Sequence, residues 1–366
     1  MRRTTRMKLR QTALSAGYFS ACALLLFFND FYIRKAPDIQ QIGTYRPWLT
    51  LFTYVSGGLL GGALFSVFEF FLLARQTSRF GLAVLATGRA VVLLAIYVVV
   101  STVFSFYYQV SVTGLDLWEP EVRRRVFAYI TSPTNTINQV FYFVFALILV
   151  FFHQVAGIVG HGVLGKFLFA RFKRPRVVEQ VFVFLDVNSS TRIAEEMGAA
   201  RFFALIHEFV VEAGEEILEH GGEIYKYVGD EIIAVWPVED GARRAQALAC
   251  LCAIRERIAA RSDYFLECFG HVPEFKSGIH VGPAIVGELG DWKREIAFMG
   301  DVLNTTARIQ GACKKAGTWL LVSEEYSSLV RDKERWGFRL AGRGRLRGKD
   351  AVTSLYSIEP GKKSPS

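Results

Sequence analysis

Cysteine is scarce in this sequence, with five in 366 residues. Cys22 falls in an uncharged apolar stretch and Cys250, Cys252, Cys268 and Cys313 in the polar half, which excludes a disulfide framework as the source of stability. Cys250 and Cys252 are one residue apart on an expected helix and do not share a face, so a thiolate metal site is excluded there too. Histidine is also sparse, six in all. His153 lies deep in an apolar run with no second histidine at its depth, which points to packing or a hydrogen bond between helices rather than to a haem or metal ligand. No basic patch is interleaved with aromatics, so the formal charge of +9 is no argument for nucleic acid as a partner. That excess lies in short runs beside apolar segments, where it reports membrane orientation.

Apolar residues are abundant: 51% of the chain is hydrophobic and 31 residues are Phe. This is too apolar for an ordinary soluble chain, and the excess is concentrated before residue 165. Residues 11–29 carry no charge and read as a first membrane span; the others run over about 48–74, 81–107 and 137–159. Arg2, Arg3, Arg6, Lys8 and Arg10 precede the first span, Arg75 and Arg79 fill the second connection, and Lys166, Arg171, Lys173, Arg174 and Arg176 follow the fourth. The other connections hold fewer basic residues, so both termini are expected in the cytoplasm and the chain in the inner (plasma) membrane, in contact with the lipid bilayer. The first span has the basic start of a signal peptide, but no small-residue cleavage site follows it. The connection from Tyr108 to Thr136 is long for a simple turn and reads as a small extracytoplasmic surface.

Four segments are expected: a transmembrane domain over 1–160, an amphipathic coupling linker over 161–176, a catalytic domain over 177–358 and a polar tail over 359–366. In the third, Val177 to Leu185 reads as a strand ending at Asp186, Ala199 to Leu218 as a helix, and Glu223 to Val228 with Glu231 to Trp236 as a hairpin around Gly229-Asp230. A helix over Gly241 to Ala260 and strands at Phe275 to Val281 and around Ile296 follow. A helix over Val302 to Cys313 and strands at Thr318 to Val322 and Val352 to Ile358 close the domain. The order strand, helix, hairpin, helix, strand is that of a ferredoxin-like α+β core with an appended arm.

Asp186 ends one strand and Asp230 tops a hairpin that is its expected neighbour, so two carboxylates meet at one sheet edge. With no Cys or His beside them they form a hard-oxygen site suited to Mg²⁺ or Mn²⁺. The residues Val187-Asn-Ser-Ser-Thr191 can turn backbone N–H groups toward phosphates at a helix start. Asn304 and Arg308 share a helix face by their i, i+4 spacing.

Four stretches, Phe184-Leu-Asp-Val-Asn-Ser-Ser-Thr191, Tyr225-Lys-Tyr-Val-Gly-Asp-Glu231, Ser277-Gly-Ile-His-Val-Gly-Pro283 and Gly300-Asp-Val-Leu-Asn-Thr-Thr-Ala-Arg308, resemble motifs of the class III nucleotidyl cyclase catalytic domain, in that family's order. The resemblance implies a membrane-anchored adenylate cyclase that makes cyclic AMP and pyrophosphate from ATP. It implies two Mg²⁺ (or Mn²⁺) ions held by Asp186, Val187 and Asp230, and adenine recognised by Lys226. Asn304 would orient the ribose, Arg308 would meet charge in the transition state, and Arg347 would bind the triphosphate, with Lys349 as an alternative. Because the metal aspartates of one subunit face the Asn and Arg of the other in that family, a homodimer is implied. Ala297 departs from the pattern, standing where a polar partner for the base is common. A guanylate cyclase and a catalytically silent signalling scaffold are the alternative readings.

Overall fold

Glycine and proline placement shapes the first half of the chain. The structure is a computed structural model that describes residues 3–35, 45–68, 82–159, 174–292, 294–345 and 352–358. The chain divides into two compact units, Thr5–His161 and a second made chiefly of Gly162–Ser366. The expected coupling linker lies largely outside the described residues, as do the tail and both Arg347 and Lys349.

The first unit contains helices α1 (Arg3–Lys35), α2 (Pro47–Val67), α3 (Leu82–Thr113), α4 (Pro120–Ile130) and α5 (Pro133–Val159). Four of them hold stretches long and apolar enough to cross a membrane: Thr12–Tyr32, Pro47–Val67, Thr87–Thr113 and Asn135–Phe152. Proline opens α2, α4 and α5, at the helix position where its missing N–H costs nothing. Phe19, Leu26, Phe65, Leu93, Tyr142 and Val150 form the bundle core, while Val84, Val103, Leu147 and Phe151 point outward. Helices apolar on every side suit lipid surroundings. His153 lies on α5, its side chain outside those described.

The connection from Tyr108 to Thr136, long for a simple turn, is mostly helical. α3 continues to Thr113, and α4 is held by Val122 and Val126, both buried and one turn apart, and by Glu121 bonded to Arg124 and Arg125. Its polar composition hid the helix.

The second unit is built on an eight-stranded sheet in the order β2-β3-β1-β4-β6-β8-β7, with β5 paired to β4 off that path. The strands are β1 (Arg176–Val187), β2 (Glu223–Val228), β3 (Glu231–Pro237), β4 (Phe275–Leu289), β5 (Glu295–Met299), β6 (Leu320–Ser323), β7 (Phe338–Arg345) and β8 (Val352–Ile358). The first four give the ferredoxin-like core, and β4 with β5 the arm. Val181, Val183 and Leu185 of β1 enter one core while Phe182 and Phe184 enter another, so this strand is covered on both faces and reads as an unbroken apolar run.

Helices α6 (Ser190–Met197), α7 (Ala199–Glu219), α8 (Gln246–Ala260) and α9 (Ser262–Phe269) precede β4, α10 (Asp301–Ala316) follows β5, and the short α11 (Glu324–Leu329) and α12 (Lys333–Trp336) follow β6. The second long helix begins at Gln246 rather than Gly241, because a π-helical turn, Glu239–Arg243, intervenes. β4 runs eight residues beyond Val281, since its far half is held by β5. β7 was not expected: its Arg339, Gly342, Arg343 and Gly344 lack a strand composition, and it is held by pairing with β8.

Candidate active site

Asp186 is the next-to-last residue of β1, with Glu231 of β3 opposite it on one side and Lys276 of β4 on the other. Asp230 occupies the two-residue turn between the cross-strand partners Val228 and Glu231. Gly229 beside it has φ +64°, which a glycine adopts without strain. The turn brings the Asp230 carboxyl close enough to Asp186 and to Ser190, at the start of α6, for both to act on its ionisation. Asp230 Oδ2 is buried and has no hydrogen-bond partner among the described residues.

Electrostatically this corner is strained toward protonation. Burial is the largest cause raising the Asp230 carboxyl above the usual range; the Ser190 hydrogen bond opposes it and the Asp186 charge adds to it. Glu231 is pushed up to about 7, again by burial first and then by Asp186 and Asp230, against the pull of Lys276. Two contacts on Asp186 relieve the strain: Lys276 Nζ lies 2.7 Å from Oδ2, and Gln310 Nε2 of α10 donates to the same oxygen at 3.0 Å.

Among the described residues no group of three or more His, Cys, Asp or Glu side chains gathers to hold a metal ion. A pair of carboxylates with one orphaned buried oxygen nevertheless fits Mg²⁺, which is commonly held by one or two carboxylates plus phosphate and water oxygens. The backbone of Val187, next after Asp186 on β1, offers a further oxygen.

The turn from β1 into α6 is unusual. Ser189 at the helix start has φ 55°, and its side chain caps no backbone N–H. The first N–H groups of α6, which no helix pairs internally, are therefore left without a side-chain cap. Asn188 N–H donates to Glu274 O at 2.7 Å and ties this turn to the segment before β4.

Helix α10 presents two different faces. Thr306, Ile309 and Gln310 are buried toward the sheet, whereas Asn304 is exposed and Arg308 half-buried. Gly278 permits this packing, since a Cβ there would lie 2.5 Å from Gln310 N. Arg308 Nη1 is buried with no partner, and neither Asn304 nor Arg308 contacts Asp186 or Asp230 by hydrogen bond or ion pair among the described residues.

Lys226 on β2 is exposed, with Nζ 3.5 Å from Glu295 Oε1 on β5. Tyr225 next to it fixes the two strands together: its hydroxyl accepts from Phe298 N–H at 3.1 Å, and the rings of Tyr225 and Phe298 meet edge to face at 5.1 Å. Ala297 is buried opposite Gly287. Glu295, Lys276, Gln310 and Glu231 were missed by sequence reasoning. Gln310 alone carried a signal, as a polar residue on the apolar face of an amphipathic helix.

A single chain thus places a carboxylate pair at the edge of a ferredoxin-like sheet, an uncapped helix start beside it, and an Asn/Arg face on a separate helix. Residues 174–359, about half of the chain, match the adenylate and guanylate cyclase catalytic domain family, and the chain belongs to that family. Adenylate cyclase 2 of Rhizobium meliloti (strain 1021) is 28% identical over 213 residues, covering 58% of this chain and 59% of that protein. The adenylate cyclase of Anabaena cylindrica is 27% identical over 183 residues, covering 48% and 36%. The chain spans less than two thirds of the length of these curated relatives. Among solved structures, a bacterial light-regulated adenylyl cyclase has the same fold, with a TM-score of 0.54 at 16% identity over 63% of this chain and 67% of that one.

Proposed function

We propose that the protein is an adenylate cyclase anchored in the inner membrane, converting ATP to 3′,5′-cyclic AMP and pyrophosphate in a homodimer with two shared sites. The observation that carries this reading is the Asp186–Asp230 pair, close enough for each charge to bear on the other and with Asp230 Oδ2 buried and without a partner among the described residues. Two like charges so placed raise each other's cost of ionisation, and a divalent cation offsets that cost.

Asp186, Asp230 and the Val187 carbonyl would hold two Mg²⁺ or Mn²⁺ ions, which supply Lewis acidity toward the triphosphate and make the ribose 3′-hydroxyl more acidic. The uncapped N–H groups at the start of α6 suit phosphate oxygens. Lys276, already beside Asp186, brings a positive charge to the same corner. Arg308, whose Nη1 has no partner among the described residues, would meet charge that grows on the transferring phosphoryl group, and Asn304 one turn earlier would orient the ribose. Lys226 would donate to the adenine, steadied by Glu295 rather than by a side chain at position 297. Arg347 is retained as a triphosphate ligand on the resemblance alone.

Mixing Asp186→Ala with Arg308→Ala chains tests the shared site. Each variant alone is expected to be inactive, and the mixture to regain activity through one intact composite site. A mixture that stays inactive removes the shared-site reading. Membranes bearing the unmutated chain that make no cyclic nucleotide from ATP and Mn²⁺ remove the cyclase reading itself.

A further inference from the structure

Helices α1, α2, α3 and α4 of the first unit surround a cavity of about 760 Å³, floored by Tyr142 of α5. That is within the ~300–1,000 Å³ typical of small-molecule sites. Glycines of α2 shape it. Gly58 and Gly62 let α1 approach: a Cβ at Gly58 would lie 2.8 Å from Phe19 O, and one at Gly62 would lie 2.6 Å from Ala16 Cα. Gly57 and Gly61, one residue earlier in each pair, face the cavity. At Gly57 a Cβ would meet Phe104 and Val100 at the ordinary distances of 3.5 and 3.6 Å, so this glycine leaves space rather than allowing a close approach. At Gly61 a Cβ would lie 3.3 Å from Tyr142 Oη, which puts that hydroxyl at the cavity wall.

Leu26, Val100 and Phe104 supply apolar wall. The charged groups of the lining have partners: Glu121 is bonded to Arg124 and Arg125 at 3.1 and 2.8 Å, and Asp30 already has an interaction of its own. Several neutral groups have none. The Tyr97 and Tyr142 hydroxyls, Ser105 Oγ and the Gln109 side-chain amide all line the cavity and make no hydrogen bond among the described residues. Tyr142 and Ser105 are buried, yet their hydroxyls are not sealed off, so the space they open onto is this cavity. The Tyr142 ring is held by close neighbours, 4.2 Å from the Tyr97 ring and 5.3 Å from the Phe19 ring, which fixes where its hydroxyl points.

We propose that this cavity binds a neutral small molecule, a carbonyl group carried on an aryl or other apolar body, with the Tyr97 and Tyr142 hydroxyls donating to the carbonyl oxygen. A phenol O–H is the most acidic of the neutral donors at this wall and so the strongest. Neither hydroxyl has to give up a bond inside the bundle to make one to a ligand, so the full hydrogen bond is gained on binding. The rings and the aliphatic side chains take the apolar body out of water. An ion is more expensive to bury than a neutral group unless it finds a partner, and the groups standing without partners here are neutral.

The test uses the full chain in lipid nanodiscs, with empty nanodiscs as control, titrated calorimetrically with compounds that share a diphenyl body: the ketone benzophenone, the hydrocarbon diphenylmethane, the cation benzhydrylamine and the anion diphenylacetate. Benzylacetone serves as a second, slimmer ketone. The expected result is saturable binding of a ketone, with benzophenone about two- to tenfold tighter than diphenylmethane, the worth of a neutral hydrogen bond. It should also bind on the order of tenfold or more tighter than either ion. Replacing both tyrosines, Tyr97→Phe with Tyr142→Phe, should weaken benzophenone by about two- to tenfold and leave diphenylmethane unchanged. That variant keeps both rings and removes no hydrogen bond made among the described residues, so it should melt with the parent. Gly57→Leu should abolish binding by filling the space. Equal or tighter binding of the hydrocarbon or of either ion overturns the proposal, as does failure of both ketones to bind or unchanged benzophenone affinity in the folded double variant. The isostere comparison needs no variant, so it stands even if the double variant does not fold. Cyclic nucleotide production plays no part in the readout, which keeps this inference separable from the cyclase reading.

Discussion

Lys276 Nζ lies 2.7 Å from Asp186 Oδ2, and the two residues are direct cross-strand partners on β4 and β1. The lysine thus balances one charge of a corner that also holds Asp230 and Glu231. Lys276→Met should lower the melting temperature of the metal-free protein, because three neighbouring carboxyls lose their shared cation. The same change should tighten Mg²⁺ binding in the absence of nucleotide by at least about fivefold, since one positive charge no longer competes at short range. Calorimetric Mg²⁺ titration reads the second effect directly.

Glu231 gives the corner a pH signature. Its carboxyl is pushed up to about 7 in the folded chain, above the ~4.3 of an unperturbed glutamate. The contribution to stability is therefore fully present below about pH 4.3 and is lost as pH rises through about 7. In metal-free thermal melts, Glu231→Gln should match the parent at the acid end. It should become progressively more stable than the parent through neutrality, with the difference levelling off above about pH 8. A difference that is constant across that range would contradict the assignment.

The Lys226–Glu295 pair bears on base selectivity. Lys226→Ala should reduce the preference for ATP over GTP by about 10- to 150-fold in kcat/KM, the ~1.5–3 kcal/mol of a hydrogen bond made by a charged group. Glu295→Ala leaves the lysine in place but unsteadied, and because the pair is largely exposed its effect should be smaller, about two- to tenfold. Competition assays with mixed nucleotides measure both. An unchanged ratio in Glu295→Ala would mean that the glutamate is only a surface partner.

In the helix bundle, Gly62→Val should cost roughly 1–3 kcal/mol, because the new side chain meets the α1 backbone, which cannot rotate aside. Gly57→Ala should be nearly neutral, its Cβ meeting only side chains at ordinary distances. Melting of the two variants in the same lipid separates a packing glycine from a cavity glycine.

Local signals made much of the catalytic unit legible. β1 reads as a strand because both its faces are buried, and Gly229-Asp230 between two β-branched runs reads as a hairpin tip. Asn304 and Arg308 read as one helix face from their spacing. α4 escaped notice because it lies within a polar connection, and β7 because it is held by its ladder to β8 and carries little strand propensity of its own.

By itself, the sequence determined most of the elements and which side chains stand at their ends, because periodicity, turn chemistry and apolar run length act over a few residues. Only the tertiary structure decided what those side chains meet. Strand register sets Lys276 opposite Asp186, the close approach of α10 over Gly278 delivers Gln310 to the same oxygen, and the β5 arm carries Glu295 to Lys226. The cavity beside Asp30 likewise depends on how four helices pack around Gly57 and Gly61. Register and packing are properties of segments far apart in the chain, and no short window of residues contains them.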